Sequence, residues 1–186
     1  MHKLIVVNNP QEWSLQVPDV EVVSARAYLL DPKYADLDRA KVFNFCRSYR
    51  YQSIGYYVSL LAAARGHKPI PSISTIQDMK SQTVVRLMSG ELDDLIQSTL
   101  ATIRSGRFTL SIYFGRNVTE KYEKLSAELF KLFEAPFVRA EFVKTDCWSL
   151  QSIGPIAAKE IPSYHHDFVI EATKEFFAGR RSGSRA

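Results

Sequence analysis

The sequence predicts an α/β (α+β) fold: a single domain with a mixed β-sheet flanked by helices, its first half Rossmann-like. Three observations predict it. In the first half, short apolar runs closed by turn residues alternate with stretches of helical periodicity. The second half runs helix, strand, helix, strand, strand, helix. No internal repeat and no Pro-, Gly- or Ser-rich linker divides the body of the 186 residues, a length that suits one domain with its own core.

The elements follow in chain order. "KLIVVNN" is a short apolar run closed by Asn-Asn-Pro and reads as a buried strand. "EVVSARAYL" reads as a second strand, β-branched at its start, and "DPKYADLDRA" as a loop or one helical turn. "KVFNF" is a third strand. After it, Ile54, Tyr57, Val58 and Leu61, with Ala62 beside them, mark a helix that Gly66 stops. "KPIPSIST" carries two prolines and suits an edge strand or loop, and "TIQD" reads as the capping box of a short helix. Leu92, Leu95, Ile96, Leu100 and Ile103 form the stripe of the next helix. "RFTLSIYFG" alternates as a strand does. Tyr122, Leu125, Leu129, Leu132 and Phe133 mark another helix. "FVRAEFV" and "WSLQSIGPIAA" form a hairpin across "KTDC", and Phe168, Val169, Ala172 and Phe176 define a last helix ending near Gly179. Residues 1–178 are read as the domain and 179–186, "GRRSGSRA", as a flexible basic tail or the start of an interdomain linker.

Formal net charge is +4, and three of the arginines lie in that last stretch, so the body is near neutral. This makes nucleic acid an unlikely partner. Nothing approaches a membrane span or a signal peptide, so no membrane partner is expected. Cys46 and Cys147 have no metal or redox spacing and fit a reducing, cytoplasmic setting. The Asn-Val-Thr at Asn117 means little without secretion.

The densest chemistry lies at the junction of the third strand and the helix after it, "NFCRSYRYQ". Residues 39–77 contain no Asp or Glu, while Arg39, Lys41, Arg47, Arg50, Arg65 and Lys68 stand among them with His67. A turn that leaves a strand and opens a helix presents backbone N–H groups and the positive end of the helix dipole, which attract phosphate or carboxylate. Arg47 and Arg50 would add bidentate donors, at the carboxyl end of a strand where open α/β sheets bind ligands. The alternative is that these arginines pair with distant acids and the tyrosines merely pack. "YFGRN", with Gly115, Arg116 and Asn117, is a similar turn before a helix capped at Thr119, and shares that edge if the sheet is parallel there. A plain turn with a surface arginine is its simpler explanation. "SYHHD" is a solvated helix start and not a metal site, because adjacent histidines lack a partner at ligand spacing. Cys46 is a small buried thiol, or else a nucleophile activated by Arg47 and the helix end. P-loop, G-x-G-x-x-G, G-x-S-x-G and H-E-x-x-H motifs are all absent.

The block "VFNFCRSYRYQSIGYYVSLLAAARGHKPIPSISTIQD", with "VVNNPQEW", "LSIYFGRN" and "LFKLFEAPFVRAEF", resembles the RimK-like ATP-grasp N-terminal domain family over about residues 4–177. The resemblance implies association with a RimK-like ATP-grasp ligase module, in cis or in trans, and ATP-dependent amide or peptide bond formation in the synthesis of small peptides. The positions that carry it are Asn44, Arg47, Tyr49, Arg50, Tyr51, Gln52 and Gly55, then Gly115, Arg116 and Asn117. No catalytic or metal residue is carried over; ATP and magnesium are expected only in the ligase module, and no cofactor in this chain. The combined expectation is a non-catalytic accessory domain. It would bind an anionic small molecule or peptide, or a partner surface, through Asn44, Arg47, Tyr49, Arg50, Tyr51, Gln52, Arg116 and Asn117. The alternatives are a stand-alone cysteine-dependent enzyme using Cys46 and a nucleic-acid-binding module.

Overall fold

Four parallel strands form the first sheet of the computed structural model, which describes residues 1–179. They are β1 (His2–Val7), β2 (Glu21–Ser24), β3 (Ala40–Asn44) and β4 (Lys68–Ile70), in the order β2-β1-β3-β4. The α/β (α+β) class holds, with the parallel and antiparallel strands divided between two sheets. The second sheet is antiparallel, β5 (Arg107–Tyr113), β6 (Phe137–Lys144) and β7 (Trp148–Pro155) in the order β5-β6-β7. The helices are α1 (Ala25–Leu30), α2 (Pro32–Ala35), α3 (Ile54–Ala64), α4 (Ile73–Lys80), α5 (Gln82–Ser89), α6 (Asp93–Leu100), α7 (Glu123–Leu132) and α8 (His166–Phe177).

The period-2 alternation of β1 decides how the parallel sheet is covered. Leu4 and Val6 join Val42, Tyr28, Val58 and Ala62 under α1 and α3. Ile5 and Val7 turn the other way, with Phe43 and Ile70, onto Val169, Ala172 and Phe177 of α8. That second cluster also takes in Tyr113, Phe114 and Phe137 and so joins the two sheets: Phe45 lies 4.9 Å from Phe137, and Phe114 stacks on Phe176 at 4.3 Å. One face of the antiparallel sheet, with Leu110, Ile112, Ala140, Phe142 and Leu150, packs on α4 to α7.

Three local expectations are corrected. The second strand ends at Ser24, whose hydroxyl accepts the Ala27 N–H at 3.0 Å and starts α1. Ala, Arg, Tyr and Leu are good enough helix formers to take over once the cap is set. "TIQD" lies inside α4, which begins a turn earlier; Ser72 caps it by accepting the Thr75 N–H at 3.1 Å. The buried face of α3 is Gly55, Val58, Ser59 and Ala62, while Ile54 and Tyr57 are each 39% exposed. Small residues face inward because the helix lies very close to the chain leaving β3. A Cβ on Gly55 would sit 2.2 Å from the Ser48 carbonyl oxygen and 2.7 Å from the Cys46 Cβ. The sequence also hid α5, whose Val84–Val85 pair obscures a helix that Ser81 caps by accepting the Val84 N–H at 3.3 Å. Gly66 (φ +74°) ends α3 as expected. Of the tail expected at 179–186, residues 180–186 lie outside the described residues.

Candidate functional site

The chain leaving β3 is organised by Asn44, which is fully buried. Its side-chain amide donates to the Gly55 carbonyl at 2.7 Å and to the Ser59 hydroxyl at 2.9 Å, and its Oδ1 accepts the Cys46 N–H at 3.1 Å. Tyr49 is buried as well and donates to the Asn44 carbonyl at 2.5 Å. Burial, followed by the nearby Cys46, raises the Tyr49 phenol well above its ordinary pKa. These two residues hold the turn in shape from inside. Gln52 takes a left-handed backbone (φ +66°), which reverses the chain into α3.

The helix start itself is closed. Ser53 accepts the Tyr56 N–H at 3.2 Å while donating to the Ser48 carbonyl at 3.1 Å. The chain at Cys46 and Ser48 lies directly over Gly55. The first turn of α3 is therefore occupied by its own loop, and the basic side chains project from that loop, not from an open helix end.

Arg47, Arg50 and Tyr51 are exposed, Tyr51 at 71% with its ring edge-on to Tyr56. Arg47 is held at both ends. Its backbone N–H donates to Asn8 Oδ1 at 2.8 Å, and its guanidinium pairs with Glu12, an acid from outside the acid-free window. The hydrogen bond from Arg47 holds the Glu12 carboxyl below its usual range. Asn8 follows β1, so the carboxyl ends of the two central strands meet here. Arg50 has no acidic partner among the described residues.

Beside this turn runs a groove of about 270 Å³, open to solvent. Arg47, Arg50 and Lys80 line it, with Met79 and the β7 residues Ile153 and Gly154, and no acid contributes to its wall. Desolvation lowers the Lys80 pKa, and the ammonium sits 5.3 Å from the Tyr56 ring centroid. Three cations on one concave wall with a single compensating carboxylate, on Glu12, favour an anionic group.

The second turn has a different use. Phe114 (φ +48°) and Gly115 (φ +80°) make a tight reversal in which Tyr113 and Arg116 exchange backbone hydrogen bonds at 2.9 and 3.0 Å. Because β5 belongs to the antiparallel sheet, the condition for sharing the β3 edge is not met. Arg116 pairs with Glu175 at 2.6 Å and Glu123 at 3.2 Å and lies 5.0 Å from the Phe168 ring centroid, tying α7 to α8. Asn117 is buried, donating to the Ser111 carbonyl and accepting the Thr119 N–H, each at 2.8 Å. A 3-10 turn, Glu120–Tyr122, intervenes before α7, and Thr119 makes no side-chain cap. Thus Arg47, Arg50, Tyr51 and Gln52 share one exposed turn. Asn44 and Tyr49 support it from beneath, and Arg116 and Asn117 stand apart.

Cys46 is 2% exposed, and burial pushes its thiol up to about 12, so it supplies no thiolate near neutral pH. Among the described residues no three His, Cys, Asp or Glu side chains cluster to hold a metal ion, and no helix is long and apolar enough to cross a membrane. Sequence reasoning missed Lys80 and the β7 wall. The groove joins segments some hundred positions apart, and the one local signal was Gly154–Pro155 inside a strand pattern, which marks an edge.

This open α/β domain has its candidate site at the carboxyl ends of its central strands, the place where sheets of this class bind ligands. Its family is specific: the model described as RimK-like ATPgrasp N-terminal domain matches residues 25–172, and the chain belongs to that family. No ATP-grasp module is present within these 186 residues. A similar solved structure is that of D-alanine–D-alanine ligase from Bacillus anthracis complexed with ATP. It is 11% identical with a TM-score of 0.50, the match covering 97% of this chain and 99% of that one, and the likeness is one of fold. A search of the curated proteins found no match. The chain is a domain of the kind associated with ATP-grasp ligases.

Proposed function

We propose that this domain is a non-catalytic accessory to a RimK-like ATP-grasp ligase module, in cis or in trans. It binds the anionic group of a substrate or partner in the groove beside β3. The observation that carries the reading is the acid-free groove wall with Arg47, Arg50 and Lys80 on it. Arg50 supplies a guanidinium fork with no acidic partner among the described residues, Arg47 a second one already oriented by Asn8 and Glu12, and Lys80 a point charge. ATP and magnesium belong to the ligase module in this scheme, since the family name supplies the ligase.

The cysteine-enzyme alternative is disfavoured by the burial of Cys46, and the nucleic-acid alternative by the near-neutral body. NMR titration with glutarate against the neutral isostere glutaramide tests the proposal. Glutarate should shift the resonances of Arg47, Arg50 and Lys80 in a salt-sensitive way and glutaramide should not. Equal responses to the two, or none to glutarate, would refute it.

A further inference from the structure

The outward face of α3 carries no charge. The helix turns Gly55, Val58, Ser59 and Ala62 inward, onto α1, β3, β4 and α4. Tyr57, Leu60 and Ala64, at i, i+3 and i+7, point the opposite way, with Ile54 and Leu61 along one flank. None of its 11 residues is charged. By contrast α7 exposes Lys124 and Lys131, and α8 exposes Asp167, Glu171 and Lys174. Nine large apolar residues are exposed among the described residues, and four of them, Tyr51, Ile54, Tyr57 and Leu60, fall on this helix and the turn before it. The rings of Tyr51, Tyr56 and Tyr57 follow one another at 5.3 and 5.7 Å, so the patch begins at the arginine turn and runs down the helix. A helix that is apolar on nearly every side belongs in an interior, and this one is too short to cross a membrane.

The charges around the patch define what can cover it. Arg50 and Lys80 stand at one end, Lys80 with its ammonium over the Tyr56 ring, and Arg65 at the other. The one charge within α1 is Arg26. The acids of the flanking helices are turned elsewhere. Asp78 is two positions from Lys80 and so on another side of α4, and Asp31 accepts the Lys33 N–H at 2.9 Å as the cap of α2. A second copy of the chain would bring cations to cations: antiparallel helices would set Arg50 against Arg65, and parallel ones Arg50 against Arg50. Residues 180–186 hold three arginines and a single apolar residue, Ala186, so they match neither the patch nor its rim. An apolar surface edged with carboxylates matches both. The three tyrosines favour a protein surface over lipid, since tyrosine is enriched where proteins meet.

We propose that α3 is the docking face for a partner α-helix whose apolar stripe is edged with Asp and Glu. Its apolar side chains pack on Tyr57, Leu60 and Ala64, where the small Ala63 and Ala64 let the two helices approach closely. Its carboxylates meet Arg50 and Lys80 at one end and Arg65 at the other. This rests on the accessory reading, in which the partner belongs to the ligase module, and not on whether the groove takes an anion. Buried apolar area supplies affinity, and the cationic rim sets orientation and rejects basic faces.

The test uses a helical peptide of about 18 residues, long enough to hold its helix in water, with leucines at i, i+3, i+4 and i+7 edged by glutamates, and a twin edged by lysines. Binding to the whole chain is read by calorimetry and NMR. The glutamate-edged peptide should bind at least about tenfold tighter than its twin and shift the amides of Tyr57, Leu60 and Ala64. Leu60→Glu and, separately, Ala64→Glu, both at exposed positions, should each weaken it at least about tenfold. Each variant should keep its melting temperature within a few degrees of wild type and its glutarate affinity unchanged. Equal binding of the two peptides, or shifts confined to the groove residues Ile153 and Gly154, would overturn the proposal. So would dimerisation in sedimentation equilibrium that Leu60→Glu abolishes, which would give the face to a second copy. Binding to phosphatidylserine vesicles without binding to either peptide would give it to a membrane and overturn the proposal too. If glutarate binds and neither peptide does, the groove reading stands and the docking face falls. If the glutamate-edged peptide binds on α3 and glutarate does not bind, the docking face stands and the groove reading falls. If none of them binds, both fall.

Discussion

Asn44 and Gly55 decide whether the basic turn keeps its shape, although neither faces a ligand. Asn44→Ala would strand the Cys46 N–H in a buried setting, take one of two donors from the Gly55 carbonyl, and remove a partner of Ser59, whose hydroxyl also donates to the Pro71 carbonyl at 2.7 Å. Unsatisfied buried groups cost roughly 1–3 kcal/mol each, so urea unfolding should show a loss of at least about 2 kcal/mol. Gly55→Ala should also destabilise, by about 1–3 kcal/mol or more, because its Cβ meets backbone rather than a yielding side chain. The thiols give a sharper readout. At pH 8 iodoacetamide should label Cys147, which is exposed, and leave Cys46 intact until denaturant is added. Rapid native labelling of Cys46 would revive the nucleophile alternative.

At the scale of elements, β2 and α2 are clasped by Glu21, which accepts from Tyr34 at 2.7 Å and from Lys33 at 3.0 Å. The Tyr34 hydrogen bond, then that of Lys33, lowers the Glu21 pKa below 4.5. A depressed carboxylate contributes stability that is present above the unfolded pKa and is lost as pH falls through the folded one. The Glu21 side chain is 46% exposed, so solvent screening keeps the contribution under about 1 kcal/mol. Melting curves should therefore show Glu21→Gln less stable than wild type at pH 7, the gap closing as pH drops below 4.5. A gap that persists undiminished in acid would contradict the clasp. Elements of this kind differ in how far the sequence reveals them. The buried β1 run, the β6–β7 hairpin and the stop at Gly66 were legible because alternation and glycine chemistry are local. The ends of β2 and α4 were not, because a cap at Ser24 or Ser72 outweighs the propensity of the residues around it. The inward face of α3 was misassigned for a tertiary reason: Gly55 and Ser59 face inward through the Asn44 network, which no helical period announces.

Across the whole molecule, the arginine turn was visible as a sequence feature, but its setting was not. Asn8 and Glu12 come from the loop after β1, Lys80 from α4 and Gly154 from β7, and only the fold brings them to one groove. The two candidate turns also separated at this scale. Arg116 is committed to Glu123 and Glu175, so Arg116→Gln should lower stability by breaking the α7–α8 tie. The proposed function instead has the turn at Arg47 contact something outside the chain. The double substitution Arg47→Gln, Arg50→Gln, read for stability and for glutarate binding together, tests that most directly. Both side chains are exposed, and the one ion pair broken, to Glu12, is a surface pair. The account predicts a melting temperature within about 2–4 °C of wild type, the shift of a 1 kcal/mol change in a protein this size. It also predicts glutarate affinity weaker by roughly 1.5–3 kcal/mol per charged hydrogen bond removed. A large fall in melting temperature with glutarate affinity retained would contradict it.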